Sequence, residues 1–202
     1  MNGAARVLRL VGVGIMAVFG LLATAFVVGS AMQDPGGAAG AALAGAYLVP
    51  LAVLVAVALA WPRVGTWVLG VAALGVVGLY AWFALETEWW RGVMDERGPI
   101  LVVAGIVVAV SLGALGVHRA RAAGALLVAL GALCYLVPLA LSRASGAGAA
   151  GAGPSLMVSA GVVIVPSVLA GLLLLLSAWL SRRAAGASTQ PSTRREDRLT
   201  VS

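Results

Sequence analysis

The stretch "ALETEWWRGVMDERGPI", residues 84–100, gathers Glu86, Glu88, Asp95 and Glu96 with Arg91, Arg97, Trp89, Trp90 and Met94 between two long uncharged runs. Paired carboxylates can serve as acid and base on a glycosidic bond, and an oxygen-rich loop can hold calcium. The spacing suits neither. Eleven residues cannot build a substrate cleft, no serine, cysteine or histidine stands beside the acids, and they miss the DxDxDG pattern of a calcium loop. Folded as a short helix over 87–97, the segment brings Arg91 within three residues of Glu88 and four of Asp95, so the charges neutralise one another on one face. Trp90, Val93, Met94 and Arg97 share an adjacent face, the pattern of a helix lying in the membrane interface, and Gly98 and Pro99 end it. Glu86, Glu88, Trp89, Trp90, Asp95 and Glu96 therefore read as an outer contact surface, not a catalytic set.

The remaining reactive side chains are solitary. The single cysteine, Cys134, lies within an apolar run and reads as a small buried side chain, without a second thiol for a disulfide or a metal cluster. The single histidine, His118, stands in "GVHRARAAG" at a helix end, where the headgroup level is its natural place. The chain contains no Walker loop, HExxH or CxxC, and no catalytic residue, metal or cofactor is expected.

The elements that carry these residues follow from composition. The chain of 202 residues is 62% hydrophobic and 10% charged, against about 45–50% and about 25% in soluble domains, so its apolar surface must face lipid. Apolar runs at 7–31, 38–60, 64–85, 100–117, 123–141 and 156–180 each approach or exceed the roughly 18–20 residues of a bilayer crossing. The hydrocarbon offers the backbone no water, and these runs lack the alternating polarity of barrel strands, so each must be helical. The expected fold is an all-α integral membrane protein: a six-transmembrane-helix bundle over residues 1–181, followed by a disordered polar tail over 182–202. The Gly/Ala/Ser segment 142–155 is expected as a linker.

Every basic residue is arginine, and alternate loops carry them unequally. Arg6, Arg9, Arg63, Arg119, Arg121, Arg182, Arg183, Arg194, Arg195 and Arg198 fall on one side, while Arg91, Arg97 and Arg143 fall on the other with five of the acids. The positive-inside rule then predicts a multi-pass protein of the plasma membrane with both termini cytoplasmic. Tryptophans at predicted span ends complete an aromatic belt. The arginines form no basic face with interleaved aromatics, so nucleic acid is excluded as a partner. A cleaved signal peptide ending near Gly29 and Ala31 is the alternative for the first span; its apolar stretch, Leu10 to Val28, exceeds the usual signal core and favours an uncleaved helix.

No ionisable residue lies within the six spans away from their ends, which argues against proton relays and intramembrane proteolysis. The hexapeptide "YLVPLA" occurs at 47–52 and again at 135–140. With weaker matches between spans one and four and between spans three and six, it points to a duplicated three-helix unit, necessarily inverted. Tyr47, Pro50, Tyr135 and Pro138 would then border a solute path. Two functions follow as expectations. One is a noncatalytic accessory subunit working by contact with lipid, a membrane protein partner or a second copy. The other is a small carrier or channel for an uncharged or weakly polar solute.

Overall fold

The computed structural model describes residues 3–85, 100–144 and 153–188. Every described element is an α-helix: α1 (Gly3–Gln33), α2 (Gly37–Ala60), α3 (Pro62–Leu85), α4 (Ile100–Ala144) and α5 (Gly153–Ser188). All five are long and apolar enough to cross a membrane. A 24-residue helix such as α2 or α3 is about 36 Å long at 1.5 Å per residue, sufficient for the roughly 30 Å hydrocarbon layer.

Two tight corners set the first three helices antiparallel. At the first, the Asp34 amide donates to the Ser30 carbonyl at 2.9 Å and the Gly36 amide to the Ala31 carbonyl at 3.1 Å, satisfying carbonyls at the end of α1. The Asp34–Pro35 peptide is cis, and Gly36 and Gly37 follow at φ 68° and 55°, in the left-handed region that glycine enters without a Cβ clash. At the second corner only Trp61 separates α2 from α3. Pro62 opens α3 at the position where a missing N–H costs nothing. Gly65 then allows close approach, since a Cβ there would lie 3.0 Å from the Ala58 Cα.

α4 is the centre of the bundle and packs against all four other helices. Its helical run is interrupted at Arg119, with φ −130° and ψ 61°. Residues 100–118 form a first arm and 120–144 a second, and the two run in opposite directions along α5. On the first arm, Gly105 faces Val163 and Gly116 faces Leu174. On the second, Gly124 faces Gly171 and Leu175, and Gly131 faces Val168 and Ile164. The chain therefore reverses at Arg119 within what is otherwise one apolar run of 42 residues. The expected runs 100–117 and 123–141 fall within this one helix, on either side of Arg119, so that the described residues hold five spanning helices where six were expected.

The first arm is enclosed on nearly every side, with Leu101, Ile106, Val107, Val108, Ala109, Leu112 and Leu115 all buried. An arm apolar all round can be buried all round without stranding a polar group. Small residues bring its neighbours close: Met16 of α1 covers Gly113, Val110 fills the space beside Gly20, and Gly12 of α1 meets Ala170 and Leu174 of α5. Lipid tails are as apolar as leucine, so such close contact, not hydrophobicity, selects the packed faces. Elsewhere α1, α2 and α3 present Leu21, Phe26, Val53, Val71 and Leu74 outward.

Helix ends overrun the expected boundaries. α4 continues to Ala144 and α5 begins at Gly153, within the segment expected as a linker, and α5 continues to Ser188, into the expected tail. Alanine and arginine are good helix formers, so nothing in "SRRAAGAS" requires the helix to stop at the membrane boundary. Residues 86–99 and 189–202, and with them the expected interfacial helix and most of the tail, lie outside the described residues.

Candidate functional site

The residues expected to border a solute path occupy unlike places. Tyr47 is buried at 3% exposure in α2, and its hydroxyl lies 3.1 Å from Thr24 Oγ1 of α1, a hydrogen bond joining the two helices. Its counterpart in the repeated hexapeptide, Tyr135, is 40% exposed on the second arm of α4. Pro50 is exposed and Pro138 half-buried. The outer contact residues Glu86, Glu88, Trp89, Trp90, Asp95 and Glu96 lie outside the described residues.

Polar groups in the interior are mostly satisfied within their own helix. The Ser111 hydroxyl donates to the Val107 carbonyl at 2.7 Å, and that of Ser177 to the Leu174 carbonyl at 2.7 Å. Cys134 is buried, as expected. Ser167 is the exception: fully buried, its hydroxyl has no hydrogen-bond partner among the described residues.

Charge, by contrast, is concentrated at one end of the bundle. Gly116 lies beside both Val13 of α1 and Leu174 of α5, and Arg119 reaches Thr66 of α3. The start of α1, the α2–α3 corner, the turn of α4 and the end of α5 therefore share one end. That end carries Arg6, Arg9, Arg63, Arg119, Arg121, Arg182 and Arg183. Arg143 stands at the opposite end with Asp34, the only acid among the described residues. Exposed Trp61, Trp67 and Trp179 lie toward the basic end, and the Arg183 guanidinium sits 3.7 Å from the centre of the Trp179 ring. That contact holds an arginine over an aromatic face at the level where both types collect.

Within this end the α2–α3 corner and the α4 turn enclose an open depression of about 520 Å³, lined by Trp61, Arg63, Val64, His118 and Arg119 with Ala60 and Pro62. The Thr66 hydroxyl donates to the Pro62 carbonyl at 2.8 Å and accepts from Arg119 Nη1 at 3.5 Å. The threonine thus links the two walls and directs the guanidinium across the corner. The lining contains two guanidinium groups, an imidazole and an indole, and no carboxylate. It can hold an anion; it offers no nucleophile with an activating base. In the sequence alone Arg63 and Arg119 read as topology signals and His118 as a headgroup-level residue, because nothing in linear spacing brings position 63 to position 119. Trp61 and Arg63 flanking a proline opposite "HRAR" were the available signal.

Among the described residues no group of three His, Cys, Asp or Glu side chains is placed to hold a metal ion. No family model, curated protein or solved structure matches the chain. Among the described residues, five helices long and apolar enough to cross a membrane define its class, that of a multi-pass helical membrane protein.

Proposed function

We propose that the chain is a noncatalytic subunit of the plasma membrane that crosses the bilayer six times, keeps both termini cytoplasmic and works by contact with other membrane components. The observation that carries this reading is the closed interior. Among the described residues every arginine, the histidine and the aspartate stand at helix ends or corners, and glycine-to-aliphatic contacts fill the space around the first arm of α4. A proton relay or ion path needs a chain of polar groups at depth; of those described, Ser111 and Ser177 bond to their own helix, Tyr47 bonds to Thr24, and Ser167 stands alone. The reversal at Arg119 supports six crossings, and the gathering of arginines at the end shared by the start of α1 and the end of α5 supports cytoplasmic termini.

The carrier reading would draw on the repeated "YLVPLA". Unequal burial of Tyr47 and Tyr135 weighs against it, as does the enclosure of the first arm of α4 while α1, its partner in an inverted duplication, faces outward. The deciding experiment is mass spectrometry of what co-purifies with a C-terminally tagged copy gently extracted from its native membrane, beside an unrelated six-span control. A reproducible stoichiometric partner protein is expected. A chain that emerges alone, with flux of some solute lost on Pro50→Ala and Pro138→Ala, would overturn the contact reading in favour of the carrier.

A further inference from the structure

We infer that the depression between the α2–α3 corner and the α4 turn is a binding site for a phosphate-bearing anion, the headgroup of an anionic phospholipid being the ligand that its position fits. Arg63 and Arg119 come from corners more than fifty residues apart, yet they line one depression that contains no acid. Both arginines are exposed, and the planar forks of their guanidinium groups match phosphate oxygens. His118 adds ring nitrogens to the same wall. A long hydrogen bond of 3.5 Å to the Thr66 hydroxyl directs Arg119 toward the α2–α3 corner.

The surroundings select a lipid over a soluble ion. The depression is at the basic end of the bundle, where the hydrocarbon-spanning helices stop, and its volume of about 520 Å³ is within the roughly 300–1,000 Å³ of small-ligand sites. Its rim is continuous with a lipid-facing surface: Val64 is 54% and Trp67 80% exposed on the first turns of α3, where acyl chains would lie against them. Trp61, exposed at the mouth, supplies the amphipathic ring that prefers the glycerol level. The inference is independent of any protein partner, but it rests on the α4 turn reaching the membrane surface, as six crossings require.

The test is native mass spectrometry of the full chain in detergent with equimolar phosphatidylglycerol and phosphatidylcholine. The wild-type chain should retain one phosphatidylglycerol in preference to phosphatidylcholine. Each of Arg63→Gln and Arg119→Gln should weaken retention about fivefold, the contribution of one juxtamembrane arginine. Arg143→Gln, at the opposite end, should leave it unchanged. Thr66→Ala keeps both charges and should cause a smaller loss, a check that does not depend on the glutamine variants folding. Retention by folded Arg63→Gln and Arg119→Gln equal to wild type overturns the site. Displacement of the lipid by millimolar inorganic phosphate, with the same arginine dependence, overturns the lipid assignment in favour of free phosphate. A parallel arm labels Arg121→Cys in a Cys134→Ala background with a membrane-impermeant maleimide in sealed vesicles of both orientations. Labelling from one side with unaltered lipid retention in the glutamine variants defeats this inference alone; no labelling from either side defeats the six-crossing reading beneath it.

Discussion

Gly124 and Gly171 face each other where the second arm of α4 crosses α5. A Cβ on Gly124 would stand 2.7 Å from the Gly171 carbonyl oxygen, and one on Gly171 would stand 2.9 Å from the Gly124 oxygen. Val128 Cγ2 stands closer still to the Gly171 position, at 2.8 Å, but the two carbonyl oxygens are backbone and cannot swing aside as a side chain can. Gly124→Ala and Gly171→Ala are each expected to destabilise the protein by about 1–3 kcal/mol through overpacking. Gly75→Ala and Gly78→Ala, in open space on α3, should stabilise by about 0.5–1 kcal/mol through helix propensity. Thermal unfolding of the four variants in one detergent tests the contrast; four equal shifts would mean that the contact does not exist.

The direction of α4 is equally open to test. If the chain reverses at Arg119, its two ends lie on the same side of the membrane and its middle on the other. In a Cys134→Ala background, Ile100→Cys and Arg143→Cys should be labelled by an impermeant maleimide from one side of sealed vesicles, and Arg121→Cys from the opposite side. A straight 45-residue helix would place Ile100 and Arg143 on opposite sides, and that pattern would refute the reversal.

These two features divide what could be read in the sequence from what could not. The length and position of each apolar run were legible because the bilayer imposes a length and forces helices, so α2 and α3 begin and end within two residues of expectation. The interruption near His118 was legible because His118, Arg119 and Arg121 break the apolar run there. Which faces pack was not. Val107 and Leu112 are buried and Val71 and Leu74 exposed, yet all are aliphatic, and in lipid neither face gains from hydrophobicity alone. Packing depended on which glycines met which partners, and with 27 glycines in the chain the pairing could not be chosen in advance. The depression at Arg63 and Arg119 was hidden for the same reason, since it exists only once two corners meet.

The two tyrosines of the repeated hexapeptide should respond differently to loss of the hydroxyl. Tyr47→Phe removes the hydrogen bond to Thr24 between α1 and α2 and leaves the threonine hydroxyl part-buried, so it should cost about 0.6 kcal/mol, the usual worth of such a bond in a membrane. Tyr135→Phe alters an exposed side chain and should change stability little. Thr24→Ala combined with Tyr47→Phe should be less harmful than the sum of the single changes, because both remove one bond. Additive losses, measured by reversible unfolding in mixed micelles, would show that the two hydroxyls act independently.

Ser167 offers the opposite case, a hydroxyl that costs stability. It is fully buried and has no partner among the described residues, whereas Ser111 and Ser177, equally buried, each donate to a carbonyl of their own helix at 2.7 Å. A buried hydroxyl without a partner retains the desolvation penalty with nothing to offset it, and alanine removes that penalty while leaving only a small space. Ser167→Ala should therefore raise stability by up to about 1 kcal/mol, while Ser111→Ala should lower it or leave it unchanged. The comparison is informative in both directions because the substitutions are identical in volume and both serines lie in the packed interior. If Ser167→Ala is the more damaging of the two in thermal unfolding, the hydroxyl must be engaged by a group outside the described residues, and the search for that group would begin with what packs around Pro166 on α5.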